Sequence, residues 1–217
     1  MSPRLTRAEQ AERNRGLLLA AARRVFLKRG YHGASVEQIA DQAGFSTGVV
    51  YSQFGGKADL FLALLEARIA ERAADNMQAV EGLTGDEGIA RLLEHAASVD
   101  RAEPEWGLLV VEFRVHAVRD PGLAVRFADA HQRTLAGAEQ LVAGLYQRAG
   151  EPPPLPPADL ARLLLAIDTG ARLEEAAAPG PSPMTLLARL LAHPISQRPG
   201  AAIAAPGQKE PDDSGHQ

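Results

Sequence analysis

The stretch from Ser35 to Phe54 constrains the fold most, because it carries two short helix signatures back to back around one glycine. Ser35-Val36-Glu37-Gln38 has the spacing of a capping box, in which a hydroxyl and an amide side chain satisfy the first orphan N–H groups of a helix. Val36, Ile39, Ala40 and Ala43 follow as one apolar stripe at helical spacing. Gly44 suits the left-handed residue that ends such a helix. Phe45 supplies an apolar plug for the turn, Ser46 an N-cap for a third helix, and Gly55-Gly56 its end. Two short helices crossing at Ala40 and Ala43 make a helix-turn-helix. Val50 and Phe54, four apart, face inward, which leaves Thr47, Gly48, Val49, Tyr51, Ser52 and Gln53 near the outer side. Short polar side chains on such a helix can enter a major groove and reach base edges or phosphates. A plain helical hairpin with a solvated face produces the same pattern.

The flanking segments read as helix throughout. Leu18, Ala21, Ala22, Val25 and Phe26 give a stripe over Asn14 to Arg29, with Gly30 as its stop. Lys57 opens a fourth helix, with Leu60, Phe61, Leu64, Leu65 and Ile69 on one side, running to about Gly82. Further helices are expected over roughly 86–100, 105–118, 121–149, 158–178 and 184–193, separated by proline- and glycine-rich breaks such as Glu151 to Pro157 and Ala178 to Pro183. Pro121 fits a first helical position. The chain after Pro194 shows no periodicity and reads as a disordered tail. The expected fold is therefore all-α, with about nine helices. The expected division is residues 1–56 as an arm with a three-helix helix-turn-helix domain, 57–193 as a larger helical ligand-binding and dimerisation domain, and 194–217 as tail.

Charge separates the two parts. Residues 1–60 hold nine Lys/Arg and five Asp/Glu, a net of +4, and the remainder hold fourteen and twenty-two, a net of −8. A basic module on an acidic body fits a nucleic-acid reader attached to something else, although surface charge also fluctuates by chance. Arg4, Arg7, Arg13 and Arg15 read as a basic arm ahead of the first helix, able to reach phosphates or a minor groove, or simply to lie solvated.

The chain has no cysteine, which excludes disulfides and thiolate chemistry and fits a reducing cytoplasm. The polar, basic N-terminus lacks a signal peptide's apolar core, and the longest apolar runs are too short to span a bilayer, so no membrane partner is expected. There is no phosphate-binding loop, no H-E-x-x-H and no G-x-S-x-G. His116 and His131 lie fifteen residues apart, which is no metal-ligand spacing, so neither catalysis, metal nor cofactor is expected.

Taken together, Arg29-Gly30-Tyr31, Ser35 to Ala40, Ala43 to Phe54 and Lys57-Ala58-Asp59-Leu60 resemble the N-terminal domain of the TetR family over about residues 14–65. The resemblance implies that the third helix enters the major groove of double-stranded DNA. It implies that Tyr51 and Lys57 hold phosphates, that Ser46, Thr47, Gly48 and Ser52 lie near DNA, that Gln53 reaches a base or phosphate, and that Ser35 neighbours a phosphate. Thr47 stands where Lys is frequent in the family, Val49 where a small or hydroxylated residue is, and Gly56 where a capping Ser is. The family also implies a repressor, released from a palindromic operator by a small molecule. The alternative is a helical protein-interaction module that keeps the helix-turn-helix without ligand response.

For the second part, apolar faces interrupted by polar groups suit an effector pocket, with Trp106, Phe113, His116, Phe127, His131, Asp168 and Arg172 as the candidate lining. Ordinary core packing accounts for each singly, and Asp168 and Arg172, four apart, can simply pair. Leu160, Leu164 and Ile167 on one helix, and Leu187, Leu190 and Leu191 on the next, form broad apolar faces. Two such helices per subunit can build a four-helix bundle across a two-fold axis, as in TetR-like dimers, or both faces can pack within one subunit.

Overall fold

The structure is a computed structural model that describes residues 6–192. Among these, every regular element is a helix: α1 (Arg7–Gly33), α2 (Val36–Ala43), α3 (Thr47–Phe54), α4 (Lys57–Ala79), α5 (Gly85–Ala102), α6 (Pro104–Val118), α7 (Pro121–Ala149), α8 (Pro157–Ala177) and α9 (Pro183–Ala192). Arg4 of the expected arm and the expected tail lie outside the described residues.

The first helix begins at Arg7 rather than at Asn14. Thr6 Oγ1 accepts from the Glu9 N–H at 3.2 Å, and the Glu9 carboxylate accepts from the Thr6 N–H at 2.7 Å, a capping box ahead of the apolar stripe. Arg7, Arg13 and Arg15 are therefore residues of α1, not of an extended arm. The Arg15 guanidinium lies 4.7 Å over the Phe54 ring, a cation–π contact that ties α1 to the end of α3. At the other end Gly30 leaves the helical region, with φ 69° and ψ 174°, before a last turn to Gly33. That conformation is open essentially to glycine alone.

The helix-turn-helix forms as its residues dictate. Ser35 Oγ accepts from Gln38 N–H at 3.3 Å, and Gln38 Oε1 accepts from Ser35 N–H at 3.2 Å. Gly44 is left-handed (φ 75°, ψ 28°), and its N–H closes the last turn of α2. Ser46 occupies the cap position of α3, yet its side chain makes no capping hydrogen bond. Pro104, Pro121, Pro157 and Pro183 each open a helix, where the missing N–H costs nothing.

Two apolar cores run through the molecule. The first gathers Leu18, Phe26, Ile39, Val50, Leu60 and Phe61 from α1–α4, and is completed by Trp106, Leu109 and Phe113 of α6. The helix-turn-helix thus shares its core with the body. The second joins Ile89, Leu93, Val142, Leu145, Tyr146, Ala171 and Met184 of α5 and α7–α9. α7 contributes to both, through Leu123 and Val142. Ion pairs Arg126–Asp59 and Arg133–Glu66, one heptad apart on both helices, bind α7 to α4.

Candidate nucleic-acid interface and the cavity in the helical body

Val50 is fully buried and Phe54 nearly so, which fixes the rotation of α3 about its axis. Ser46, Gly48, Tyr51 and Ser52 are exposed, while Thr47 and Gln53 are half-buried. Tyr51 keeps 51% of its surface open, high for a large aromatic side chain beside a core. The Ser46 hydroxyl, unused by the cap, stays available for a partner. Ser52 Oγ donates to the Val49 carbonyl at 2.9 Å, leaving its lone pairs as acceptors. Ser35 Oγ is occupied by its cap.

Lys57 stands apart from this face. Its Nζ donates to the Tyr31 and Ala34 carbonyls, both at 3.0 Å, and sits 4.5 Å from the Tyr31 ring centre. Burial pushes the ammonium below its ordinary pKa, with the Glu112 charge opposing. The side chain fastens the start of α4 to the end of α1. Glu112 of α6 grips the same corner, accepting from the Tyr31 and His32 N–H groups, both at 3.0 Å.

The expected pocket residues separate into two groups. Phe113 lies fully buried between Phe61 (4.1 Å between ring centres) and Tyr31 (4.8 Å), and Trp106 packs on Phe61. His116 meets the Tyr31 and His32 rings, and His131 stacks on Phe127. Burial holds the His131 imidazole below its ordinary pKa, with Arg114 and Arg162 adding to the effect. These aromatic groups join α6 to α1 and α4, and α7 to α6. No group of three or more potential metal ligands clusters among the described residues.

Asp168 and Arg172 belong to a second site. Arg172 Nη2 lies 2.7 Å from Asp168 Oδ2 and 3.0 Å from Asp100 Oδ1, and Nε donates to Asp168 at 3.1 Å. Asp100 is buried, and this, with the neighbouring Asp168 charge, raises its carboxyl to about pKa 7 against the pull of Arg172 and Arg72. Arg172 and Asp100 open onto a cavity of about 590 Å³ between the α5–α6 corner, α8 and the α8–α9 turn. Glu103 borders the same cavity and pairs with Arg23 of α1 and, at 2.9 Å, with Arg68 of α4. Asp100, Glu103, Gly107 and Ser182 escaped the sequence reading, because no local spacing connects the α5–α6 corner with Arg172 of α8 and the α8–α9 turn.

Of the expected dimer residues, Leu160, Leu164, Ile167, Leu187 and Leu191 are half-buried against the second core of their own subunit. Leu190 is 50% exposed, and Leu163 of α8 and Leu186 of α9 are each 48% exposed.

A capped helix pair around a left-handed glycine, with an outward-facing third helix and a helical body that holds a cavity, is the architecture of a helix-turn-helix protein. Residues 18–64 match the family described as bacterial regulatory proteins, tetR family, and residues 85–197 match the C-terminal region of BetI-type transcriptional repressors. The chain belongs to the TetR family. It is 42% identical over 73 residues to the transcriptional activator FasR of Mycolicibacterium smegmatis, across 34% of this chain and 33% of that protein. It is 33% identical over 121 residues to the repressor AcnR of Corynebacterium efficiens, across 54% of this chain and 57% of that one. The aligned stretches thus span a third and just over half of these relatives' lengths. The fold is shared with FadR of Bacillus subtilis in complex with stearoyl-CoA, at a TM-score of 0.65 and 15% identity, over 81% of this chain and 94% of that one. No helix among the described residues is long and apolar enough to cross a membrane.

Proposed function

We propose that this chain is a homodimeric, non-catalytic repressor that binds a palindromic operator in the cytoplasm and is released by a small-molecule effector. Residues 1–56 read the DNA, and residues 57–193 sense the effector and dimerise. The observation that carries this reading is the outer edge of α3, where Ser46, Gly48, Tyr51 and Ser52 are exposed beside the anchored Val50 and Phe54. The Ser46 and Tyr51 hydroxyls hold phosphates, and Gly48 allows close approach to the groove. Thr47, Ser52 and Gln53 complete the reading edge, and Ser35 stands at the N-terminus of α2, whose positive end favours a phosphate. Lys57 contributes by fixing the corner on which α3 rests.

One reading helix covers too few base pairs for selectivity, and a two-fold dimer supplies the second half-site. The half-exposed Leu163 and Leu186 on α8 and α9 support a paired-helix interface, with Leu190 at its edge. The FadR relative, with its stearoyl-CoA, offers a precedent for an effector in this fold. Fluorescence polarisation with duplexes from upstream of the gene tests the reading. Selective binding of the upstream duplex is expected, and equal binding to a scrambled duplex refutes it.

A further inference from the structure

We propose that the cavity between the α5–α6 corner and the α8–α9 turn binds a small organic monoanion, a carboxylate with an apolar body, an assignment that rests on the effector-responsive reading above. Three features converge on an anion. Arg172 meets its two aspartates through Nε and Nη2 alone, and Nη1 holds neither. A Cβ added at Gly107, which also lines the cavity, would lie 2.6 Å from Arg172 Cδ and 2.8 Å from Nη1, so the absence of a side chain there makes room for the arginine beside the cavity. Ser182, 5% exposed, borders the same cavity, and its buried Oγ has no hydrogen-bond partner. Buried hydroxyls are seldom left unpaired, and an orphan at a cavity wall marks a place for a ligand atom. Ser182 also precedes Pro183, the first residue of α9, so the positive end of that helix points to the same side.

The charges around the cavity are balanced, three acidic and three basic, so an anion is placed by direct contacts and not by net charge. Six charged residues line it: Asp100, Arg101, Glu103, Arg172, Glu175 and Arg189. Asp100 and Glu103 already face arginines, and the raised pKa of Asp100 lets it stand neutral beside an incoming carboxylate. Leu108, Pro104, Ala176 and Pro179 supply apolar wall for a short hydrocarbon body. The volume of about 590 Å³ admits such a ligand with room to spare. Glu103 connects the occupant to the DNA-binding part, since it borders the cavity and holds both α1 and α4.

Calorimetric titration of the full-length chain with hexanoate, and separately with hexylamine and hexan-1-ol, tests this. Hexanoate is expected to bind once per chain, with the amine inert and the alcohol weaker. Ser182→Ala, which removes one hydrogen bond to a charged group, is expected to weaken hexanoate about tenfold. Ala176→Trp, at an exposed helical position on the cavity wall, is expected to abolish binding without loss of helical signal. No hexanoate binding, tighter binding of the amine, or affinity unchanged in both variants overturns the assignment. Operator binding by the same samples separates the two readings. Selective DNA binding without hexanoate binding overturns the anion site alone. Hexanoate binding by a chain that selects no duplex overturns the regulator instead.

Discussion

The Glu112 carboxylate holds the Tyr31 N–H at 3.0 Å, joining α6 to the backbone of α1 just past the Gly30 break. A second oxygen holds the His32 N–H, so one side chain satisfies two amides that the break leaves without helical acceptors. Glu112→Ala strips both amides of their acceptor. A loss of about 1–3 kcal/mol in denaturant unfolding is expected. DNA affinity should fall with it, because α2 and α3 hang from this corner.

Gly30→Ala probes the same joint from the other side. A Cβ there lies 2.8 Å from Glu112 Oε2, on a backbone with φ 69°. A backbone cost of about 1–3 kcal/mol is expected, before any displacement of the carboxylate. Gly44→Ala, also at positive φ but with open space around it, should cost less, about 1–2 kcal/mol. Equal melting temperatures for the two variants would dissociate Gly30 from the Glu112 grip.

Glu103→Gln removes the charge that holds Arg23 and Arg68. These pairs are partly solvated, so stability should change by no more than about 1 kcal/mol. Communication should suffer more. The variant is expected to bind operator DNA, yet to keep that affinity when effector is added, as read by polarisation with and without ligand. A wild-type response from Glu103→Gln would remove it from the link.

Asp100 makes a pH-dependent contribution whose sign follows from its environment. Its folded pKa of about 7 lies above the ordinary 3.8, so folding favours the protonated form. The stabilisation is complete below the unfolded value and is lost as pH rises through about 7. Asp100→Asn, neutral throughout, should flatten the decline in melting temperature between about pH 5 and about pH 8. A decline of undiminished slope in the variant would assign it to other groups.

The helix-turn-helix was legible because its signals are local. The capping box at Ser35, the left-handed Gly44 and the inward Val50 and Phe54 all act within a few residues, and the structure reproduces them. The start of α1 was missed because the Thr6–Glu9 capping box precedes the apolar stripe that marked the helix. The resemblance gave Lys57 a phosphate; its two bonds to the Tyr31 and Ala34 carbonyls were not legible, because those carbonyls lie more than twenty residues away in the chain. The cavity was illegible for the same reason. Asp168 and Arg172 were visible as a helical pair, but Asp100 and Gly107 meet Arg172, and Ser182 shares its cavity, only through the packing of α5, α6, α8 and the α8–α9 turn.

The most direct test of the account is polarisation of a labelled duplex from upstream of the gene against a scrambled duplex, over a range of salt, for the native chain and Tyr51→Ala. The native chain is expected to prefer the upstream duplex at every salt concentration. Tyr51→Ala should weaken both duplexes about tenfold while preserving the fold, since it removes a phosphate contact rather than a base contact. No preference between duplexes, together with unchanged binding by Tyr51→Ala, would contradict DNA reading by α3.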